Sequence, residues 1–287
     1  MEITTTTLHC FNFKTHPSEQ VLLTCSRLRA HHHHSSILIP NLIQCRRPLP
    51  VACSVADGSS TSSASSRVAV HDPSLAVKKK ASDISPELKG TSIFLVGMNS
   101  SIKTSLGKLL AESLRYYYFD SDSLVEEAAG GKSAVKSFWE TDELGFRESE
   151  TEVLKQLSSM GRLVVCAGNG AVKSSTNLSL LRHGISVWID VPLDMVASGS
   201  TEDQGELVSD ASIPHSEVFA RLASLYEEMR DGYATADTTI SLQKVASQLG
   251  YDDLNAVTTE DMTLEVLKEI ERLTRVKKMM EEAAAPF

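Results

Sequence analysis

The sequence predicts an α/β protein in which a parallel sheet lies between two layers of helices. Three observations carry that expectation. Short apolar runs at residues 93–96, 163–166 and 185–190 have the length and composition of buried strands. Between them apolar residues recur at helical spacing, as at Leu106, Leu109, Leu110 and Leu114. The first two runs break into loops rich in small residues, beginning at Gly97 and Ala167. Strands alternating with helices are joined by crossovers, and crossovers produce parallel pairing.

The chain has 287 residues, 41% hydrophobic and 23% charged, which is ordinary globular composition. Residues 1–66 differ from the rest. They are rich in Ser and Thr, contain only three acids (Glu2, Glu19, Asp57) and five bases, and lack a long apolar stretch. That composition predicts an organellar transit peptide and disordered arm, chloroplast rather than mitochondrial, with 51–53 suited to processing. The histidines at 31–34 fall inside this arm and read as neither tag nor metal site. Without it, 23 basic and 34 acidic residues leave a net charge near −11, a poor surface for nucleic acid. Only Cys166 then remains, which excludes an internal disulfide and a multi-cysteine metal site. No run reaches the ~18 apolar residues of a membrane span.

Residues 67–89, with Lys78, Lys79 and Lys80, read as a linker, and the fold is expected to start near Gly90 and run to about 275, followed by a tail over 276–287. Strand one covers about 92–96 and is followed by an amphipathic helix from near Lys103. An aromatic strand at 116–119 ends in Asp120-Ser121-Asp122. Helices follow over 122–129, over 134–139 and from about 143. After the strands at 163–166 and 185–190, residues 199–214 lack apolar period and read as a mobile loop. A helix over 218–229, a strand over 238–240 and a C-terminal helix marked by Leu264, Leu267, Ile270 and Leu273 complete the pattern.

The chemistry-bearing stretch is Gly97-Met98-Asn99-Ser100-Ser101-Ile102-Lys103-Thr104. Gly97, Lys103 and Thr104 fill three of the four positions of a phosphate-binding P-loop, but Ile102 stands where the second glycine belongs. Where φ > 0 is required, a β-branched residue is strained.

These landmarks, in order, resemble those of the shikimate kinases over residues 90–275, within the plastid shikimate kinase-like group. Asp120-Ser121-Asp122 is similar to a D-x-D element, Phe146-Arg147-x-x-Glu150 to an F-R-x-x-E helix, and Gly168-Asn169-Gly170-Ala171 to a G-G-G-A loop. Val187-Trp188-Ile189-Asp190 and Leu225-Tyr226-Glu227-Glu228 with Tyr233 resemble the later landmarks. The resemblance implies a three-layer P-loop kinase fold of the nucleoside-monophosphate-kinase type. It implies that Gly97, Lys103 and Thr104 bind nucleotide, that Thr104 and Asp120 serve Mg²⁺, and that Asp122, Arg147, Gly168 and Gly170 bind substrate. Blander roles exist for each. Lys103 and Thr104 could cap a helix, Asp122 could be an N-cap, Asp120 a turn residue, Arg147 a surface partner of Glu143, and Cys166 core.

The departures from the family pattern point away from catalysis. Ser100, Ile102 and Asn169 replace glycines, Asp142 replaces another, and Met229 stands where a substrate-binding arginine is expected, with Arg230 turned ~100° away. The lid interval between Arg182 and Arg221 contains no Lys or Arg, and seven acids instead. Phosphoryl transfer relies on positioned cations, so this loss removes its main source of rate. The expectation is a pseudokinase acting without catalysis in the plastid (stroma) with an unidentified protein partner, and the resemblance implies a role in chloroplast biogenesis. No cofactor is expected. ATP and Mg²⁺ enter only under the alternative readings, a kinase of altered substrate or a ligand-binding sensor.

Overall fold

The computed structural model describes residues 72–203 and 215–284. The arm over 1–66, including 31–34 and 51–53, lies outside the described residues, as do residues 204–214 of the expected lid.

Five parallel strands form one sheet in the order β2-β3-β1-β4-β5. β1 (Ile93–Val96) and β3 (Leu163–Cys166) are buried at every position, as their unbroken apolar runs require of strands covered on both faces. β4 (Ile185–Asp190) flanks β1; β2 (Tyr117–Asp120) and β5 (Thr238–Ser241) form the edges. Helices α2 (Ser101–Leu114), α3 (Ser121–Ala129), α4 (Lys132–Thr141) and α5 (Glu143–Ser158) occupy the crossovers from β1 through β2 to β3. A 3-10 turn (Asn169–Val172) and α6 (Ser175–Leu181) lead to β4. α7 (Leu193–Asp203), α8 (His215–Tyr233), α9 (Leu242–Leu249) and α10 (Thr259–Ala284) complete the order. The parallel α/β expectation holds.

Three expectations about the chain's organisation are corrected. Residues 73–88 are not a linker but helix α1 (Pro73–Leu88). Asp72 caps it, accepting from the Ser74 N–H at 3.0 Å, and Pro73 pre-sets its first turn. Val77, Ala81, Ile84 and Leu88 recur at helical spacing and are all buried. The lysine run hid this pattern, because Lys78 and Lys79 lie on the exposed face while Lys80 pairs with Glu271 of α10. The tail over 276–287 is likewise helical as far as Ala284. Residues 199–203 belong to α7 rather than to a loop.

Burying an aliphatic side chain is worth ~1.5–3 kcal/mol, so α1 stabilises the domain rather than decorating it. Ile84→Ala should lower unfolding stability by about 2–4 kcal/mol in urea titration. A neutral result would return residues 73–88 to the status of a linker.

Candidate functional site

β1 and β3 are neighbours whose outgoing connections run to opposite sides of the sheet, and the crevice beyond their ends is where open α/β sheets bind ligands. The structure gathers there Gly97, Lys103, Asp122, Gly168, Gly170 and Arg147, drawn from segments far apart in sequence.

Gly97 follows β1 with φ +128, a left-handed conformation. A Cβ there would also collide with the Ile189 carbonyl of β4, so the glycine is required twice. The chain then turns into α2 at Ser101, two residues before Lys103. Ser100 is the N-cap, its Oγ accepting from the Lys103 N–H at 3.2 Å, and the Thr104 N–H donates to the Ser100 carbonyl at 3.1 Å. Two backbone donors at this helix start are thereby satisfied internally. The strain expected at Ile102 is absent. Ile102 lies in the first turn of α2 and has no positive φ, because a capped helix asks for none at that position.

Lys103 decides the electrostatics. Its side chain is 2% exposed, and Nζ donates to the Gly97 carbonyl at 2.9 Å, to Asn99 Oδ1 at 2.8 Å and to the Ala167 carbonyl at 2.8 Å. An ammonium has three protons to donate, and all three are used. Burial lowers its pKa, while Cys166, Asp122 and Asp120 oppose that shift. Asn99 is the hinge of the arrangement, since its Nδ2 donates to Asp122 Oδ2 at 2.8 Å. Lys103 and Asp122 thus share one amide between them.

Asp122 is not the N-cap of α3. Asp120 takes that place, accepting from the Ser123 N–H at 3.0 Å. Burial raises the Asp122 pKa, and the neighbouring Asp120 charge raises it further against the opposing Asn99 hydrogen bond, Lys103 and Arg147. Gly168 lies so close that any Cβ would collide with the Asp122 carboxylate, and its N–H donates to Ser121 Oγ at 2.9 Å. Thr104 starts the second turn of α2, near the Tyr118 hydroxyl. Among the described residues no group of three or more His, Cys, Asp or Glu side chains is arranged to hold a metal.

Arg147 does not rely on Glu143, which stands off at 3.9 Å. Its close partner is Glu150, at 2.7 Å, and its guanidinium stacks on the Trp139 ring at 4.3 Å from the centroid. Burial raises the Glu150 pKa, opposed by Arg147. A Cβ at Gly170 would strike the Glu150 carboxylate and approach Arg147 Nη1 to 2.7 Å, so this loop is packed against the ion pair. Asn169 turns the other way, its Oδ1 accepting from the Tyr233 hydroxyl at 3.1 Å. Tyr233, fully buried, stacks on Trp188 with ring centroids 5.8 Å apart, and Met98 and Met229 are buried as well. Arg230 faces solvent beside Glu227, as its helical position requires. Cys166 is core, its thiol pushed up to about 11 chiefly by burial.

Three participants lay outside the sequence expectations for the site. Asn99 lies in the loop just before the Ser100 cap of α2, where no helical spacing signals its contact with Lys103. Glu150 stands three after Arg147 within α5, a spacing that places side chains together on a helical turn. Ser100 carries a cap signal, a serine at the start of a helical period, which the P-loop comparison obscured.

Fold and crevice define a protein of the P-loop kinase class. The family follows from comparison with known proteins. The shikimate kinase family model matches residues 99–269, and the chain belongs to that family. It is 60% identical, over 86% of its length and 85% of the relative's, to the Arabidopsis thaliana protein named "Probable inactive shikimate kinase like 1, chloroplastic". It is 40% identical, over 73% of its length and 74% of the relative's, to shikimate kinase 3, chloroplastic, of Oryza sativa subsp. japonica. Among solved structures it is similar to shikimate kinase from Acinetobacter baumannii in complex with shikimate, with TM-score 0.54 and 26% identity, covering 67% of this chain and 97% of that one.

In this arrangement the donors nearest the start of α2 are engaged within the protein. The Lys103 protons are held by three protein oxygens, and two backbone donors at the start of α2 are engaged internally.

The raised Asp122 pKa carries a pH signature. A carboxyl whose folded pKa lies above its unfolded value favours the folded state as it protonates. Its contribution therefore grows as pH falls through the folded pKa and levels off below the unfolded one. Asp122→Asn keeps an oxygen to accept from Asn99 but cannot titrate. In denaturant titrations from about pH 7 to about pH 4, the stability of the natural chain should rise relative to the variant. A constant difference, or one moving the other way, would contradict the raised pKa.

Proposed function

We propose that the chain is a non-catalytic plastid member of the shikimate kinase family, retained as a binding module that serves chloroplast biogenesis through a protein partner in the stroma. One observation carries the reading: the P-loop lysine gives its three protons to the protein's own oxygens. Phosphoryl transfer is accelerated by cations placed on the phosphates, and a single arginine supplied to the transition state is worth ~10³–10⁵ in kcat. This chain has no Lys or Arg from 183 to 220, and Met229 is buried where the family resemblance implies an arginine. Lys103 alone cannot replace those charges.

The relatives' names support the non-catalytic and plastid parts of the reading. One relative is called "probable inactive" and chloroplastic, and the rice relative is called chloroplastic. The Ser/Thr-rich, acid-poor composition of residues 1–66 agrees with import into plastids. Among the described residues no helix is long and apolar enough to cross a membrane.

The experiment is a coupled assay of ADP formation with shikimate, ATP and Mg²⁺ at millimolar levels. No turnover above the protein-free rate is expected. Turnover near ordinary kinase values, ~1–100 s⁻¹, would overturn the reading.

A further inference from the structure

The end of the sheet opposite the crevice carries a row of cations. Lys89 precedes β1, Arg115 precedes β2, Arg162 precedes β3 and Arg182 precedes β4, and all four are exposed. Because the strands are parallel, these residues lie at one end of the sheet. The strand order sets them side by side as Arg115, Arg162, Lys89 and Arg182. At the usual spacing between strands the row is roughly 15 Å long. Main-chain bonds hold its centre. The Arg162 N–H donates to the Gly90 carbonyl at 2.8 Å, and the Tyr117 N–H donates to the Arg162 carbonyl at 2.9 Å.

Two features set this row apart. Among the described residues none of the four forms an ion pair, although residues 67–287 are acidic by a wide margin. Lys89, Arg115 and Arg162 are also the non-glycine residues of the described chain with left-handed backbone, at φ +50, +58 and +60. Glycine or asparagine ordinarily fills such positions, and a strained backbone persists where something requires the side chain. Neighbouring acids do not cancel the row. Glu87 and Glu112 stand in the last turns of α1 and α2, where side chains tilt back toward the helix N-terminus and away from this end. Asp237, which precedes β5, accepts from the Ser186 N–H and hydroxyl at 2.7 and 2.8 Å.

We propose that this row is a docking surface for the acidic face of a helix on a partner protein. Carboxylates three and four residues apart on a helix stand about 5–6 Å from one another, close to the spacing of the strands that present the cations. Three of the four cations are arginines, and a guanidinium meets both oxygens of a carboxylate. A membrane surface would call for apolar side chains beside the charges, and Tyr117 is the one large apolar residue exposed in these segments. The docking rests on the chain's proposed role as a binding module, but it uses no residue of the crevice.

The test is fluorescence anisotropy on the full chain with a labelled, alanine-rich helical peptide carrying glutamates along one face. The peptide should bind at ~0.05 M salt and be released by ~0.5 M, and its glutamine counterpart should not bind. Combining Lys89→Gly, Arg115→Gly and Arg162→Gly should weaken binding about tenfold or more. Glycine relieves the left-handed backbone, so the thermal midpoint of that variant should equal or exceed that of the natural chain. Arg182→Gln, at an ordinary helical φ of −70, should weaken binding as well. No binding by the natural chain, or equal binding by both variants, would overturn the proposal. A lowered midpoint with unchanged binding would assign the cations to the helix ends beside them instead. Preference for phosphatidylglycerol vesicles over the peptide would give the row to a membrane and overturn the helix partner. Failure here leaves the expected absence of turnover intact, and turnover in the ADP assay would leave this binding intact.

Discussion

The burial of one ammonium group organises the crevice. Removing a charge from water is costly unless hydrogen bonds replace the water, and Lys103 obtains three. Its acceptors come from the loop after β1 and the residue after β3, so the interaction ties two central strands together at their ends. Asn99 passes the constraint on to Asp122, and Asp122 holds Gly168 within contact of its carboxylate. A second pair, Arg147 with Glu150, braces the same loop at Gly170. The groups that could have met a ligand spend their hydrogen bonds on one another.

That economy explains how a kinase fold persists without kinase chemistry. An active site keeps charges unsatisfied so that substrate can complete them, and the protein bears the cost in stability. Here the crevice is completed internally. Ser100 caps the helix that would have received phosphate, and Asn169 reaches across to Tyr233. Met229 adds a buried apolar side chain. Each of these side chains makes its contacts within the chain.

Much of this was legible in the sequence, for definite physical reasons. Buried parallel strands need unbroken apolar runs, so β1, β3 and β4 were evident, and Gly97 marked the turn that only glycine makes there. α1 was missed because three consecutive lysines masked four apolar positions at helical spacing. Ile102 was misjudged because the motif was read as a loop, whereas the Ser100 cap makes the position ordinary helix. The partners of Lys103 could not be foreseen in full, since the Ala167 carbonyl arrives from 64 residues away and no motif encodes a backbone oxygen.

The closure of Lys103 can be observed directly. With lysine side chains labelled with ¹⁵N, an ammonium held by three acceptors and shielded from water exchanges slowly and gives a resolved amine signal, assignable by its loss in Lys103→Arg. Titration with ATP and Mg²⁺ to millimolar concentration should leave that signal unmoved. A saturable shift of the Lys103 resonance would contradict the account, because it would show the ammonium leaving its own protein's oxygens for a phosphate.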